Sequence, residues 1–137
     1  MSRVLVDTNV ILDVFMKREP WVESSAPVLR LAEAGSVHGL IAAHSVTTLH
    51  YLLARDLSRS RVRKALADLL QLLGVVPVDQ DRLRHALALN WPDFEDAVQA
   101  ACAESAGANY LVTRNKKDFQ QSPVAAVTPA ELIALIS

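Results

Sequence analysis

The chain is almost without cysteine. Among its 137 residues only Cys102 carries a thiol, so no intrachain disulfide can form. That excludes a disulfide-stapled secreted scaffold and fits a reducing compartment, which for this chain predicts the cytoplasm. Glycine is scarce, with four residues, and none is arranged as a phosphate-cradling loop, which disfavours nucleoside-triphosphate chemistry. Aromatic residues make up 5% of the chain, and they are not interleaved with basic ones as single-strand-binding surfaces require. The formal charge is −1, so no molecule-wide basic field draws in a polyanion, and any nucleic-acid site must be local. No apolar run is long enough to span a bilayer. The opening MSRVLVD lacks the apolar core of a signal peptide.

What is present is an apolar chain, 51% hydrophobic and rich in leucine, valine and alanine, long enough to bury the core of one domain over residues 1–137. RVLVD (3–7) reads as a short strand buried on both faces, because its apolar residues do not alternate with polar ones. Val10, Ile11, Val14 and Phe15 then recur at helical spacing, with Thr8 or Asn9 as the expected cap. Further strands are expected at 37–42, 75–78, 108–113 and 124–127. Helices are expected at 23–35, 45–56, 58–74, 79–91, 92–107 and 128–137, with Gly35 stopping the first of these and Thr128 capping the last. Short buried strands alternating with helices predict an α/β fold whose mainly parallel, five-stranded central sheet is covered on both faces.

Three acidic positions invite chemistry. Asp7 ends the first strand, and open parallel sheets build their sites outside the carboxyl ends of strands. Its plainer role is to cap the helix that follows. In PDFEDAVQAACA, Asp93 and Asp96 share a helix face. They can form a capping box with aspartate where glutamate is usual. Phe94, Ala97, Val98, Ala101 and Cys102 form an apolar stripe, and Ala100 and Ala103 continue the line of the two acids. Such a helix is largely buried, so its carboxylate needs a cation, a donor or a metal. The segment TRNKKDF follows the fourth strand with Thr113, Arg114, Asn115 and Asp118. The lesser role for Asp118 is a surface salt bridge.

Acids meeting from three separate segments suit a hard divalent cation, magnesium or manganese (Mg or Mn), held by oxygen ligands and water. Such ions activate water and stabilise the oxygens of a phosphodiester displacement, which predicts a metal-dependent nuclease. Asp7, Asp96 and Asp118 are the expected catalytic and metal-binding acids. Thr113, at the end of the fourth strand, is an expected support. Arg114, Lys116 and Lys117 lie beside this site and are candidates for the phosphates of a nucleic-acid substrate. The basic run RDLSRSRVRK reads equally as a phosphate track or a solvated helix start. His38, His44, His50 and His85 lack the spacing of a structural zinc site, Cys102 reads as core, and Ser45 has no triad pattern around it. Trp21 and Trp91 each adjoin a proline and are expected to cover a sheet edge or a dimer face.

VDTNVILD at the start, the serine-led HSVTTLHYLL, and DFEDAVQAACAESAGANYLVTRNKKDF in the last third resemble, nearly end to end, the PIN-domain family. The likeness is to the VapC-type toxins of bacterial toxin–antitoxin pairs. The resemblance implies a three-layer α/β/α sandwich and magnesium- or manganese-dependent cleavage of RNA, whose phosphates Arg114, Lys116 and Lys117 would meet. It implies that Asp7 is the first metal ligand, supported by Thr8 and Asn9, that Asp96 is a further acid, and that Asn115 and Asp118 close the cluster. Asp93 is often acidic in similar sequences. An antitoxin partner and a homodimer are also implied. One feature departs from the pattern. The glutamate usual on the helix after the second strand falls near His50 or Tyr51 here, and Asp56 comes too late to replace it. A neutral imidazole at His50 can bind manganese or zinc but suits magnesium poorly. Two other readings stay open. One is a PIN-like module that binds RNA or protein without cutting. The other is a phosphoacceptor domain, which wants an acidic pair and a strand-ending lysine where this chain has Thr113 and Asn115.

Overall fold

The computed structural model describes residues 1–136. Its elements run β1 (Ser2–Val6), α1 (Thr8–Phe15), α2 (Val22–Glu33), β2 (Val37–Ala42), α3 (Ala43–Ala54), α4 (Arg59–Leu72), β3 (Gly74–Val76), α5 (Gln80–Leu89), α6 (Phe94–Ser105), β4 (Tyr110–Val112), β5 (Ala125–Val127) and α7 (Pro129–Ile136). A 3₁₀ turn, Lys116–Phe119, follows β4. The strands form one sheet in the order β3-β2-β1-β4-β5, and every neighbouring pair is parallel.

Successive side chains of a strand point to opposite faces, and β1 divides its residues between two cores accordingly. Val4 and Val6 join Ile41 and Val112 in the cluster under α1–α4 and α7. Leu5 joins Leu40 and Leu111 under α5 and α6. This is the expected three-layer α/β/α sandwich with a five-stranded sheet, here wholly parallel. Residues Ala97–Ala103 of α6 are all at most 4% exposed, because small side chains let that helix settle against β1, β2 and β4. Among the described residues no helix is long and apolar enough to cross a membrane.

The element edges differ from expectation for local reasons. The third strand stops at Val76, since Pro77 has no N–H to give to a ladder. The fourth begins only at Tyr110. Before it, Asn109 Oδ1 accepts from Arg3 N at 2.8 Å and Asn109 N donates to Arg3 O at 2.7 Å, a clasp at the amino edge of the sheet. Phe94 is 44% exposed and leaves the apolar stripe it was expected to begin. Thr8 and Asn9 lie inside α1 rather than capping it, and the cap position belongs to Asp7. The remaining caps follow expectation. Ser58 Oγ accepts from Arg61 N, and Thr128 and Glu131 satisfy each other's backbone N–H groups at 3.1 and 2.9 Å.

Candidate active site

The strand order reverses between β1 and β4, and the crevice at such a switch point is where open α/β sheets bind ligands. Asp7 leaves β1 and Thr113 leaves β4, so these two residues straddle it. Asp7 occupies the cap position of α1 with extended backbone, yet its side chain caps nothing. Its oxygens instead turn across the sheet. Gln99 Nε2 donates to Oδ1 at 2.8 Å, and Thr113 Oγ1 donates to Oδ2 at 2.8 Å. The carboxylate is 4% exposed and its two side-chain donors are neutral, so no basic group in these contacts cancels its charge.

Asp93 is a helix cap. Its Oδ1 accepts from Asp96 N at 3.1 Å, so the capping-box reading holds for the Asp93 half. Asp96 itself is half-buried. Its carboxyl is pushed up to about 7, by burial first and then by the charges of Asp93, Asp7, Asp118 and Glu95. Glu95 is raised too, by burial and then by Asp93 and Asp7. Beyond burial, the negative charges acting on Asp96 and Glu95 place these two carboxyls in one acidic neighbourhood. The charges of Asp7, at the end of β1, and of Asp118, in the 3₁₀ turn, thus both reach Asp96 on α6. Among the described residues no three His, Cys, Asp or Glu side chains are gathered tightly enough to hold a metal ion unaided.

The supporting positions divide. Thr8 Oγ1 donates to Ser45 Oγ at 2.7 Å, tying α1 to the start of α3. Asn115 N donates to Thr113 Oγ1 at 3.1 Å, which orients the hydroxyl that holds Asp7. Asn9 is half-buried. His50 and Tyr51 are exposed on α3. The imidazole that Asp7 influences belongs to His44, two residues past β2. Burial pushes it below the ordinary histidine value, and the Asp7 charge opposes that shift.

The basic candidates also divide, and one expectation changes. Arg114 is not a free cation for phosphates. Its Nε lies 2.9 Å from Asp13 Oδ2, and its guanidinium covers the Trp21 ring at 3.9 Å. Lys116 pairs with Glu131 at 3.0 Å. Lys117 is exposed, and among the described residues it makes no ion pair.

Three residues beside the site had no role from the sequence alone. Gln99 lies one residue past the apolar Val98 and three past Asp96, on the same helix face. A long amide in an alanine-rich buried helix is the signal for it. Asp13 is 0% exposed within α1, with Arg18 Nη1 3.7 Å from its Oδ1 and Arg114 opposite. Neither contact is a hydrogen bond, so the attraction is between charges. Burial still holds the Asp13 carboxyl above its ordinary value, against the pull of Arg114 and Arg18. A lone acid amid Val10, Ile11 and Val14 was the sign of a buried pair. Ser45 was the third; its hydroxyl is buried against Thr8.

Comparison with known proteins bears on this arrangement. A family profile described as "PIN domain" matches residues 3–117. The chain is similar to Ribonuclease VapC1 of Aquifex aeolicus (strain VF5), 25% identical over 135 residues that span 95% of this chain and 92% of that protein. Its fold is similar to a chain of a toxin–antitoxin complex from Klebsiella pneumoniae. That match has a TM-score of 0.71 and 26% identity, covering 92% of this chain and 97% of the other. It is similar also to a chain of VapBC2 from Rickettsia felis bound to a promoter DNA fragment, with a TM-score of 0.72 and 18% identity over 92% and 98% of the two chains.

Proposed function

This chain belongs to the PIN-domain family, and on that premise we propose that it is a divalent-metal-dependent ribonuclease and the toxin-like member of a toxin–antitoxin pair. The observation that carries the reading is the Asp7 carboxylate: buried, held by two neutral donors at the switch point of the sheet, and close enough to Asp96 to help raise its carboxyl. Support comes from the relative named as a ribonuclease and from the neighbour solved in a toxin–antitoxin complex.

The donor set fits a cation. Asp96, raised by burial and by the negative charges around it, gains from a positive charge nearby, and a magnesium-like ion needs only one or two protein carboxylates beside water and substrate phosphate. Asp7, Asp96 and Asp118, with the Asn115 side-chain oxygen, would hold magnesium or manganese. When bound, that ion supplies charge to the phosphoryl oxygens and makes water more acidic. The chain's own residues do the rest. Gln99 and Thr113 fix both Asp7 oxygens. Asp96, titrating near 7, holds a proton on its carboxyl below neutrality and releases it above. Lys117 stands beside Asp118 with an uncommitted charge for a phosphate.

We place the chain in the cytoplasm, as one domain and a homodimer, with RNA as substrate and an antitoxin as inhibitor. A second reading, a PIN-like module that binds RNA or protein with little cleavage, is favoured by one observation: α3 carries no carboxylate. Incubation of a generic RNA with magnesium or manganese separates the two. Cleavage that is lost in Asp7→Asn and kept in the exposed control Glu33→Gln supports the enzyme. Binding without cleavage at every metal concentration rejects it in favour of the module.

A further inference from the structure

Arg114 pairs with Asp13 at 2.9 Å, and Asp13 feels the Asp7 charge, so the Arg114 head sits on the α1 side of the acid cluster. What surrounds it is a recess of about 400 Å3 between the start of α2 and the carboxyl ends of β4 and β5. That volume is within the roughly 300–1,000 Å3 usual for small-ligand sites. We propose that this recess is a nucleobase subsite, where an unpaired base of the RNA, next to the cleaved phosphodiester, stacks on Trp21. The inference rests on the ribonuclease reading above.

Four observations carry it. Trp21 is 41% exposed although the Arg114 guanidinium covers part of it, so an indole surface stays open at the rim. Aromatic surface of this kind accepts any base, because every base has a π-face. Next, the recess is not built for an anion. The Arg114 charge is committed to Asp13, and Glu23 is the other charged residue of the lining. A phosphate is disfavoured there, whereas a neutral base meets no opposing charge. Ser25 also lines the recess; it is 1% exposed and its Oγ has no hydrogen-bond partner. Buried hydroxyls are normally paired, and a base edge offers both donors and acceptors. Finally, Thr128 Oγ1 already accepts from Glu131 N, which leaves its proton free to donate into the same space. The pairing of Arg114 with Trp21 makes the platform rigid, since an indole held on one side loses little freedom when a base covers the rest.

The test measures binding of a fluorescently labelled single-stranded RNA by anisotropy, in the Asp7→Asn background so that the RNA stays intact. Trp21→Ala should weaken binding about tenfold, the order expected for one stacked base, and Trp21→Phe should restore most of it. An abasic nucleotide scanned along the RNA should produce the same loss at one position. At that position Trp21→Ala should add nothing further. The inference is overturned if Trp21→Ala binds as tightly as its parent, or if its loss adds to that of the abasic nucleotide at every position. Cleavage by the unsubstituted chain, measured alongside, separates the two levels. Cleavage with no role for Trp21 rejects the subsite alone. Neither cleavage nor RNA binding rejects the ribonuclease reading and the subsite with it.

Discussion

Two buried aspartates, six residues apart and on either side of most of α1, put the same functional group to opposite uses. Asp13 is 0% exposed and faces two guanidinium groups, Arg114 at 2.9 Å and Arg18 at 3.7 Å. Asp7 is 4% exposed and faces an amide and a hydroxyl, each at 2.8 Å. At Asp13 the negative charge is consumed in fastening the end of β4 to α1. At Asp7 it is oriented but left uncancelled, and Asp96, Glu95 and His44 all feel it. Burial is therefore a poor guide to whether a carboxylate serves structure or chemistry. The charge of its partners decides.

The sharpest way to break the comparison is Asp7→Asn. RNA cleavage should fall on the order of a thousandfold, the scale of losing a preorganised charge at a reaction centre. The melting temperature should hold or rise, because a source of repulsion has gone. A large loss of stability would make Asp7 another Asp13. The mirror experiment is Asp13→Ala, which strands Arg114 beside an apolar helix. Thermal unfolding should show a loss of about 3 kcal/mol, the cost of breaking one side of a buried pair, with a clear drop in Tm. An unchanged Tm would show that the pair is not what fastens α1. Next in size is Gln99→Leu, which removes one Asp7 donor. Cleavage should fall about tenfold or somewhat more, the usual effect of losing a group that orients a ligand, with the larger change in the divalent-ion dependence.

The smallest effect is a pH slope. Asp96 binds its proton more tightly in the folded chain (about 7) than in the unfolded one (3.8). Its contribution to stability is therefore full below pH 3.8 and is lost as pH rises through 7. Without divalent ions the chain should unfold more readily at pH 8 than at pH 5, and Asp96→Asn should flatten that slope. Magnesium or manganese added at pH 8 should recover the lost stability by binding the ionised cluster. Cleavage should run the other way and increase through neutrality. A profile flat from pH 5 to 8 would remove Asp96 from the cluster.

The layers of the fold were legible because its strands are short, apolar and unalternating, a pattern only a sheet covered on both faces accepts. Asp7 was legible as a strand end, and Asp93 and Asp96 as neighbours on a helix. Gln99, Asp13 and the committed state of Arg114 were not, since each is defined by a partner 92 or 101 positions away along the chain. Nothing local separates a guanidinium that meets phosphate from one already paired across the molecule. His50 shows the same limit: the resemblance put it near the site, at the place of the usual glutamate, whereas the turn of α3 leaves it exposed and the Asp7 charge reaches His44.

Periodicity, capping residues and the order of apolar runs determined the parallel α/β/α architecture and the end of the sheet where the acids stand, because hydrophobic burial follows local pattern. Tertiary structure alone decided which acid keeps its charge and which arginine gives its charge up, because electrostatic partnership depends on distances through space that the chain order does not encode.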